Sequence, residues 1–276
     1  MNEHRQKIMI SRETAARLGR QAVEIIRTGR YVTADQKVHE IGDQISYARN
    51  NTVSYPPDKS LPEMHTGNCK TKIDVINETT LTGARRLLDR GLDTVILNFA
   101  SGTHPGGGFL SGARAQEEYL ARSSALYACL EGNAMYEYHR EKGDPAASDY
   151  VLYSPGVPVF RDDSGNLLNQ PYTVAMITSP AVNRTYAYHL SDEDIEKLMW
   201  SRILKVLSIG LHHGHDGIVL GAWGCGAFNN DPWQIARLFH RAIHDNFRGS
   251  WRKIIFAIVD FSVDKMFIGP FEKVFS

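Results

Sequence analysis

The chain has 276 residues, 42% of them hydrophobic, with 31 Lys and Arg against 31 Asp and Glu. This composition supplies enough apolar residues for a full core, and zero net charge argues against a general surface affinity for nucleic acid, so no direct nucleic-acid binding is expected. No apolar stretch approaches the roughly 20 residues that cross a membrane, and the polar start lacks the apolar core of a signal peptide, so we expect a cytoplasmic protein without a membrane partner.

Residues 11–29 have the spacing of an amphipathic helix. Apolar residues recur every three or four positions, at Ala15, Leu18, Ala22, Ile25 and Ile26. Ser11 can cap the start of this helix and Gly29 can end it. β-branched residues among polar ones predict strands at 30–32 and 38–48, and prolines mark a loop that ends near residue 64. This part of the chain carries no obvious catalytic chemistry.

From Lys72 onward the pattern alternates between strands and helices. Strands are predicted at 73–76, 95–99, 151–153, 157–160, 174–178, 218–220 and 254–259. Helices are predicted after Asn77, which can cap the first of them, from Gln116 through Cys129, from Asp192 to about His212, and from Pro232. Such alternation predicts a three-layer α/β/α fold.

The predicted strand at 95–99 breaks into a loop with three consecutive glycines. Gly106, Gly107 and Gly108 are followed, after seven residues, by Gln116, Glu117 and Glu118, which open a helix. Glycines let backbone N–H groups approach a ligand closely, and successive N–H groups form anion sites. Two carboxylates beside such a loop can supply acid/base catalysis. The stretch therefore predicts hydrolysis of a phosphate-bearing substrate, although a flexible turn and glutamates that complement a helix dipole would have the same sequence.

A second glycine-rich loop, at 221–226, follows the predicted strand at 218–220. In open α/β sheets, ligands bind beyond the carboxyl ends of the strands, so a pair of such loops can hold the two phosphates of a diphosphate. Neither loop has the glycine spacing or the Lys-Ser/Thr of a P-loop, and neither has the Gly-x-Gly-x-x-Gly of a dehydrogenase. A hydrolase that binds a diphosphate is favoured over both.

Three glycines, seven residues and then Gln-Glu-Glu resemble the signature of poly(ADP-ribose) glycohydrolases, and the surrounding Asn98-Phe-Ala-Ser and Pro105-Gly-Gly-Gly-Phe look like the microbial branch of that family. The resemblance covers residues 11–265 and is strongest at 94–130 and 218–233. It implies a macrodomain-like fold with a mixed sheet, in which an N-terminal helical and strand extension, residues 1–70, packs as an accessory segment on a compact catalytic core, residues 71–276.

The resemblance also implies the activity. The enzyme would cleave ribose–ribose O-glycosidic bonds of poly(ADP-ribose), including polymer on ADP-ribosylated proteins, mainly from chain ends, and would act in the DNA damage response. By resemblance, Glu118 protonates the glycosidic oxygen and then activates water, while Glu117 holds ribose hydroxyls. An oxocarbenium-like transition state needs such an acid. The substrate's own diphosphate could stabilise the positive charge, so no metal or cofactor is expected.

Substrate contacts are predicted for Gln116, Asn98, Gly106, Gly107, Gly108, Gly224, Cys225, Gly226, Ala227 and Phe228. Asn98 matches the macrodomain position that contacts the distal ribose, although an Asn at a strand end also starts turns. Phe228 could cover the ribose, stack near the adenine or pack in the core. Asn77 and Glu78 could lie near the adenine, with helix capping as the simpler role of Asn77.

Other residues near the loops have ordinary structural roles. Histidines 212, 213 and 215 fall at a helix C-terminus, where imidazole is common, so a solvated helix end is expected rather than a metal site. The three cysteines are widely spaced and suggest neither a disulfide framework nor a zinc site. Loop or packing roles are expected for His104, Trp223 and Trp233.

Two other functions stay open. A macrodomain that only binds ADP-ribose would have the same fold, but the adjacent glutamates after the first loop argue against it. A hydrolase of mono-ADP-ribosyl protein or of O-acetyl-ADP-ribose would share both the fold and the glutamates. Comparison of product release from polymer and from a mono-modified protein separates these possibilities.

Overall fold

The computed structural model describes residues 10–60 and 66–276. In chain order its strands are β1 (Arg30–Val32), β2 (Val38–Glu40), β3 (Val53–Tyr55), β4 (Lys72–Ile76), β5 (Thr94–Ala100), β6 (Val151–Arg161), β7 (Leu167–Pro180), β8 (Gly217–Leu220) and β9 (Lys253–Ala257). Its helices are α1 (Arg12–Thr28), α2 (Gly42–Asn50), α3 (Thr80–Leu88), α4 (Gln116–Ser123), α5 (Leu126–Leu130), α6 (Ala134–Lys142), α7 (Asp192–His212), α8 (Pro232–Asp245) and α9 (Ile268–Val274), and a 3₁₀ helix covers Phe109–Ser111.

The central sheet has the strand order β3-β6-β7-β5-β8-β9-β4. The pairs β7–β5, β5–β8, β8–β9 and β9–β4 are parallel, whereas β3–β6 and β6–β7 are antiparallel. The predicted mixed sheet is thereby confirmed. The strands of the parallel half have nearly continuous apolar sequences because helices cover both faces of that half.

Alternating side chains on β5 separate two cores. Val95 and Leu97 pack with residues of α7 and α8, such as Val206 and Phe239. Ile96, which points to the opposite face, packs with residues of α3 and the helices after it. Successive strand residues face opposite sides of a sheet, so one strand contributes to two helical layers. The three-layer α/β/α architecture is confirmed.

The N-terminal segment joins the central sheet as well as packing on it. β3 pairs with β6, while α1 contacts α4 and the 3₁₀ helix. α1 has the predicted ends, because the Ser11 hydroxyl accepts from the Thr14 N–H and Gly29 adopts φ 70°. The division of the chain at residue 70 stays a prediction, and the end of the loop predicted near residue 64 lies outside the described residues.

Several predicted elements differ from the structure. The strand predicted over 38–48 is wrong beyond Glu40, because Gly42–Asn50 is helical. The helix predicted from Gln116 through Cys129 is two helices, since Ser124 is extended and bridges to Val159. The strands predicted at 151–153 and 157–160 form one strand with an irregularity near Gly156, whose φ is 58°.

The predicted helix starts agree with the structure only in part. Thr79, rather than Asn77, caps α3 through its hydroxyl. The predicted capping box of Ser191 and Asp194 is present at the start of α7. The helices α6 and α9 were not predicted. Among the described residues, no helix is both long and apolar enough to span a membrane.

Candidate active site

Two glycine-rich loops meet at one edge of the sheet. The first follows β5, and the second, at 221–226, follows β8, which pairs with β5 in parallel. Because neighbouring parallel strands end at the same edge, the loops that follow them lie side by side. The fold therefore brings together the two loops that the sequence predicted to share a site.

A cavity of about 400 Å³ lies between the loops, within the size range of small-molecule sites. Its polar wall includes Glu78, Thr79, Ser101, Glu117, Glu118 and Arg122. Its apolar wall includes Phe99, Phe228, Ile258, Val259 and Phe267. A cavity with one charged and one apolar wall suits a ligand that combines a polar sugar with an apolar ring.

Glu117 is 4% exposed at the start of α4. Its Oε2 accepts a hydrogen bond from the Ser101 N–H at 2.6 Å, and its Oε1 has no partner among the described residues. Burial raises the pKa of Glu117 well above its usual range, and the charge of Glu118 acts in the same direction, while the Ser101 N–H opposes them. Glu117 therefore holds a proton more tightly than an ordinary glutamate.

Glu118, which is 8% exposed, is held in a similar way from a different direction. Its Oε1 accepts a hydrogen bond from the Gly108 N–H at 2.9 Å, and its Oε2 is buried without a partner in the described part of the chain. Adjacent helical residues point about 100° apart. Each carboxyl group thus has one oxygen fixed by a loop N–H and the other available to a ligand.

The triple glycine lets the first loop pass directly over these carboxyl groups. A Cβ on Gly107 would come within 2.3 Å of Oε1 of Glu118 and 3.1 Å of Oε2 of Glu117, and the φ of Gly107 is +60°. The Gly107 N–H donates to the carbonyl of His104, and the Gly108 N–H donates to Glu118. In the structure the N–H groups of Gly107 and Gly108 bond to the loop itself and to Glu118, and the substrate contacts of Gly106, Gly107 and Gly108 stay a prediction.

The second loop has a consecutive run of free donors. The N–H groups of Gly224, Gly226, Ala227 and Phe228 have no hydrogen-bond partner in the described part of the chain, and all four residues line the cavity. A Cβ on Gly226 would meet no atom within 4 Å. Unpaired N–H groups along a turn form an anion site. This loop, rather than the triple glycine, is the phosphate-binding candidate.

Cys225 faces away from the cavity. Its thiol is buried and lies 3.7 Å from the carbonyl oxygen of Trp223, and burial raises its pKa. The structure puts the Cys225 side chain in the core shared with α8, so the substrate contact predicted for this residue stays a prediction that only its backbone could satisfy. Trp223 is fully buried as expected, whereas Trp233 is 44% exposed.

Gln116 connects α4 to β5. Its Oε1 accepts from the Phe99 N–H at 2.9 Å, and its Nε2 donates to the Leu97 carbonyl at 2.7 Å and to the Thr80 hydroxyl at 3.1 Å. These bonds use both amide donors. Gln116 lines the cavity as predicted, but its side chain fixes the start of α4 and has no donor left for a substrate.

Asn98 lies behind the glutamates rather than in the cavity wall. It is fully buried, and its amide donates to the Thr178 hydroxyl at 3.2 Å. The same side chain lowers the pKa of Glu117, against the larger effect of burial. In the structure Asn98 supports Glu117 from beneath. The predicted contact between Asn98 and a ribose stays a prediction.

The residues at the end of β4 have separate roles. Asn77 exchanges hydrogen bonds with the backbone of Asp260, at 2.5 Å and 3.2 Å, so the capping role predicted for it is wrong. Glu78 is 4% exposed, lines the cavity and pairs with Arg86 at 2.6 Å. Its predicted proximity to an adenine stays a prediction.

The predicted histidine positions divide between surface and core. His104 is exposed and contacts Thr103, and His212 is exposed at the end of α7. His215, however, is buried and bonds to Asp93 and Tyr153 at 2.5 Å and 2.8 Å, so the expected solvated helix end is wrong for this residue. Within residues 10–60 and 66–276, no group of three His, Cys, Asp or Glu side chains is arranged to hold a metal.

Two features of the polar wall were not predicted, namely the hydrogen bonds around Tyr119 and the buried side chain of Arg122. Tyr119 donates a hydrogen bond to Asp163, and the Thr79 and Thr82 hydroxyls donate to the same carboxylate at 2.9 Å. Arg122, one turn after Glu118, lies 5% exposed in the cavity wall. The motif spacing marks α4 as important but carries no signal for Asp163, which lies in the turn between β6 and β7.

Comparisons with known proteins agree on one family. The family model of the microbial-type PARG (poly(ADP-ribose) glycohydrolase) catalytic domain matches residues 19–162. The poly(ADP-ribose) glycohydrolase from Thermomonospora curvata is 43% identical, with a TM-score of 0.90 over 95% of this chain and 100% of that one. The structure of that enzyme bound to the inhibitor ADP-HPD is 42% identical, with a TM-score of 0.88 over 95% of this chain and 99% of that one.

A second organism provides a more distant match. The poly(ADP-ribose) glycohydrolase from Deinococcus radiodurans in complex with ADP-ribose is 34% identical, with a TM-score of 0.77 over 83% of this chain and 96% of that one. No curated protein matches the chain. The Thermomonospora curvata and Deinococcus radiodurans matches cover 95% and 83% of this chain, so the similarity is not confined to the glycine loops.

Proposed function

The chain belongs to the microbial-type poly(ADP-ribose) glycohydrolases and is a glycosidase-type hydrolase, and we propose that Glu118 is the general acid and base that cleaves the ribose–ribose bond. The observation that carries this proposal is the free Oε2 of Glu118. That atom is buried without a partner in the described chain, while Oε1 is fixed by the Gly108 N–H. A carboxyl group in this arrangement presents one oxygen to the substrate in a constant orientation.

In the first step, protonated Glu118 gives its proton to the glycosidic oxygen as the bond to the anomeric carbon breaks. The bond electrons leave with that oxygen, and the ribose becomes an oxocarbenium-like cation. In the second step, ionised Glu118 accepts a proton from a water molecule while the water oxygen bonds to the anomeric carbon. The products are ADP-ribose and a polymer shortened by one unit, and Glu118 is again protonated.

Glu117 would hold the ribose rather than exchange protons with the leaving group. Its free Oε1 lies beside the same cavity, and its raised pKa allows it to donate a hydrogen bond to a sugar oxygen. Asn98 would support this carboxyl group from behind. Both glutamates are buried and adjacent. Substitution of each one alone distinguishes proton transfer by Glu118 from ribose binding by Glu117.

The second loop would bind the diphosphate of the released unit. Its unpaired N–H groups at Gly226, Ala227 and Phe228 can donate to phosphate oxygens, which places negative charge near the developing cation. Phe228 together with Phe267 and Val259 offers apolar surface for the adenosine. Glu78, at the edge of the same cavity and bonded to Arg86, would accept a further hydrogen bond from an adenine amine.

We further propose release mainly from chain ends, in the cytoplasm, as part of the DNA damage response, with ADP-ribosylated proteins as carriers of the polymer. A cavity of about 400 Å³ has room for one whole ADP-ribose unit and only part of a neighbouring one, which supports binding of a terminal unit. We also propose that the fold is that of a macrodomain.

The test compares the wild-type protein, Glu118→Gln and Glu117→Gln on purified poly(ADP-ribose), and titrates each protein with ADP-ribose. Glu118→Gln should bind ADP-ribose but lose at least about a hundredfold in rate, within the usual range for a general acid. Glu141→Gln, a substitution at an exposed position of α6, is the matched control and should cleave normally.

Three outcomes would contradict the proposal. Binding of ADP-ribose without any cleavage by the wild-type protein would indicate a protein that only recognises the ligand. Cleavage of a mono-ADP-ribosylated protein in preference to polymer would indicate a hydrolase of another linkage. Full activity in Glu118→Gln with loss in Glu117→Gln would exchange the roles of the two residues.

A further inference from the structure

Arg122 is a buried cation without a hydrogen-bonding partner. Its side chain is 5% exposed, its Nη1 is unpaired, and no hydrogen bond from its guanidinium is found in the described part of the chain. A buried guanidinium normally pairs with a carboxylate or several carbonyls, because a desolvated charge without partners costs several kcal/mol. Arg161, also buried, has an unpaired Nη1 as well, but its other nitrogens donate to the Arg122 carbonyl and to Gln21.

A second cation, Arg114, borders the same cavity as Arg122. Burial and the charge of Arg114 lower the pKa of Arg122, against the attraction of Tyr119 and Glu118. Its guanidinium carbon lies 5.6 Å from the centre of the Tyr119 ring. Arg114 lines the same cavity and is exposed, with one nitrogen bonded to the carbonyl of Ile10. Two cations, Arg122 and Arg114, therefore border the cavity. In the described part of the chain, no carboxylate bonds directly to Arg122.

The position of this pair relative to the second loop is important. Trp223 of the second loop packs in the core on the α7 and α8 side of the sheet, whereas Tyr119 packs in the core on the α3 side. The helix that carries Arg122 and the second loop thus pack on opposite faces of the sheet, and residues of both line the cavity. Arg122 follows Glu118 by four residues, which is about 6 Å or one turn along the helix.

We propose that Arg122 and Arg114 form a second phosphate subsite, which binds a phosphate of the polymer unit whose ribose oxygen is the leaving group. This proposal rests on the proposed function and extends it. The bond next to Glu118 joins the ribose of the released unit to a ribose of the neighbouring unit, whose own diphosphate is a few bonds away. A guanidinium one helical turn from Glu118 can reach that diphosphate, while the second loop holds the diphosphate of the released unit.

The subsite explains why the cavity wall contains an unpaired cation. In the absence of polymer, Arg122 lacks a partner, and a phosphate would supply two acceptors in the planar geometry that guanidinium favours. Binding would also fix the leaving ribose oxygen against Oε2 of Glu118. ADP-ribose alone, which has no neighbouring unit, would not reach the subsite.

The experiment uses full-length Glu118→Gln protein, which retains substrate without cleavage. It is titrated with ADP-ribose and with the ADP-ribose dimer, in which two units are joined by the ribose–ribose bond. Arg122→Met, Arg122→Lys and Arg114→Met are each added to this background. Arg90→Met, at an exposed arginine after α3, is the matched control for loss of one positive charge.

We expect Arg122→Met to weaken binding of the dimer about tenfold, as for loss of a charge-assisted contact, and to leave the affinity for ADP-ribose within about twofold. Arg122→Lys should restore part of the loss, because the charge remains while the planar fork is gone. Arg114→Met should weaken dimer binding by a smaller factor. The salt dependence of dimer binding should decrease in both variants.

Equal weakening of both ligands by Arg122→Met would overturn the proposal, because Arg122 would then serve the first unit or the fold. Dimer affinity unchanged in both Arg122→Met and Arg114→Met would also overturn it. If Arg122→Met fails to fold, Arg114→Met decides, since that side chain is exposed. Failure of the Glu118→Gln protein itself to bind ADP-ribose would overturn the proposed function, and the subsite with it.

Discussion

Gly107 and Glu118 are so close that a methyl group on the glycine would lie 2.3 Å from Oε1 of the glutamate. The glycine also has a φ of +60°, which disfavours any other residue. The loop and the catalytic carboxyl group therefore define each other's position. The triple glycine that reads as a phosphate loop in the sequence is, in the folded chain, the support that leaves Oε2 of Glu118 free.

Gly107→Ala should reduce the rate of polymer cleavage about a hundredfold, because displacement of a catalytic group by about 1 Å has an effect of this size. Gly132→Ala is the matched control, since Gly132 has φ +72° but no atom within 4 Å of an added Cβ. The control carries the backbone strain without the clash. Comparable loss of activity in both variants would show that strain alone, and not the contact with Glu118, is responsible.

Glu117→Gln should raise the melting temperature at neutral pH. The usual glutamate pKa is 4.5, and burial raises the pKa of Glu117 well above it in the folded state. As pH rises above 4.5, Glu117 loses its proton in the unfolded chain first, so the folded wild type is progressively destabilised. The destabilisation stops growing once pH passes the higher pKa of Glu117 in the folded state. Glutamine carries no such proton and keeps its bond to the Ser101 N–H.

Thermal unfolding of both proteins between pH 4 and pH 8 checks this prediction. The difference in melting temperature should grow with pH and reach a few degrees, since about 1 kcal/mol shifts a domain of this size by ~2–4 °C. Glu141→Gln, at an exposed position, should follow the wild type at every pH. A difference that stays constant across the range would contradict a raised pKa of Glu117.

The sequence predicted the fold class and the meeting of the two loops because these depend on local signals. Glycines after apolar runs mark the carboxyl ends of β5 and β8, and parallel pairing then brings their loops together. The helix Gly42–Asn50 was missed because Ile41 offers no side-chain cap and only two of its residues, Ile45 and Ala48, are buried. Its composition gives little helical periodicity to detect.

Long-range partners within the site could not be predicted for a different reason. Glu117 and Glu118 were identifiable as a pair, but the N–H groups that orient them depend on the path of the loop through Ser101 and Gly108. Asp163 meets Tyr119 only because a hairpin turn folds back on α4. No spacing rule in one sequence connects positions 44 residues apart in this way.

Gln116→Glu should destabilise the protein and slow catalysis. The carboxylate is the same size as the amide, but it cannot donate to the Leu97 carbonyl and the Thr80 hydroxyl as Nε2 does. A buried acceptor left facing another acceptor costs about 1–3 kcal/mol. The start of α4 would shift with it, and Glu117 and Glu118 are both on that turn.

Chemical denaturation and polymer cleavage test Gln116→Glu together. Gln44→Glu, an equivalent change at an exposed position of α2, controls for the added charge and should leave both measurements unchanged. A Gln116→Glu protein that is as stable and as active as the wild type would mean that the three hydrogen bonds of Gln116 do not position α4.

The contact between Tyr119 and Asp163 should be measurable as a coupling energy. Asp163→Ala removes the acceptor for the hydroxyls of Tyr119, Thr79 and Thr82 and should cost about 1–3 kcal/mol in the free energy of unfolding, because buried donors are left unpaired. Tyr119→Phe removes one of those donors. The double variant should therefore lose less than the sum of the single losses, by at least about 0.5 kcal/mol.

Denaturation of the two single variants and the double variant gives this coupling, and the rate of polymer cleavage by each shows whether it reaches the active site. Tyr119 is on the same helix as Glu118 and lines the cavity, so freeing the hairpin turn from α4 should lower kcat/KM several-fold more than an equal loss of stability elsewhere. Strict additivity of the two substitutions would mean that the hairpin turn and the catalytic helix are energetically independent, and the turn at Asp163 would then have no part in holding Glu118.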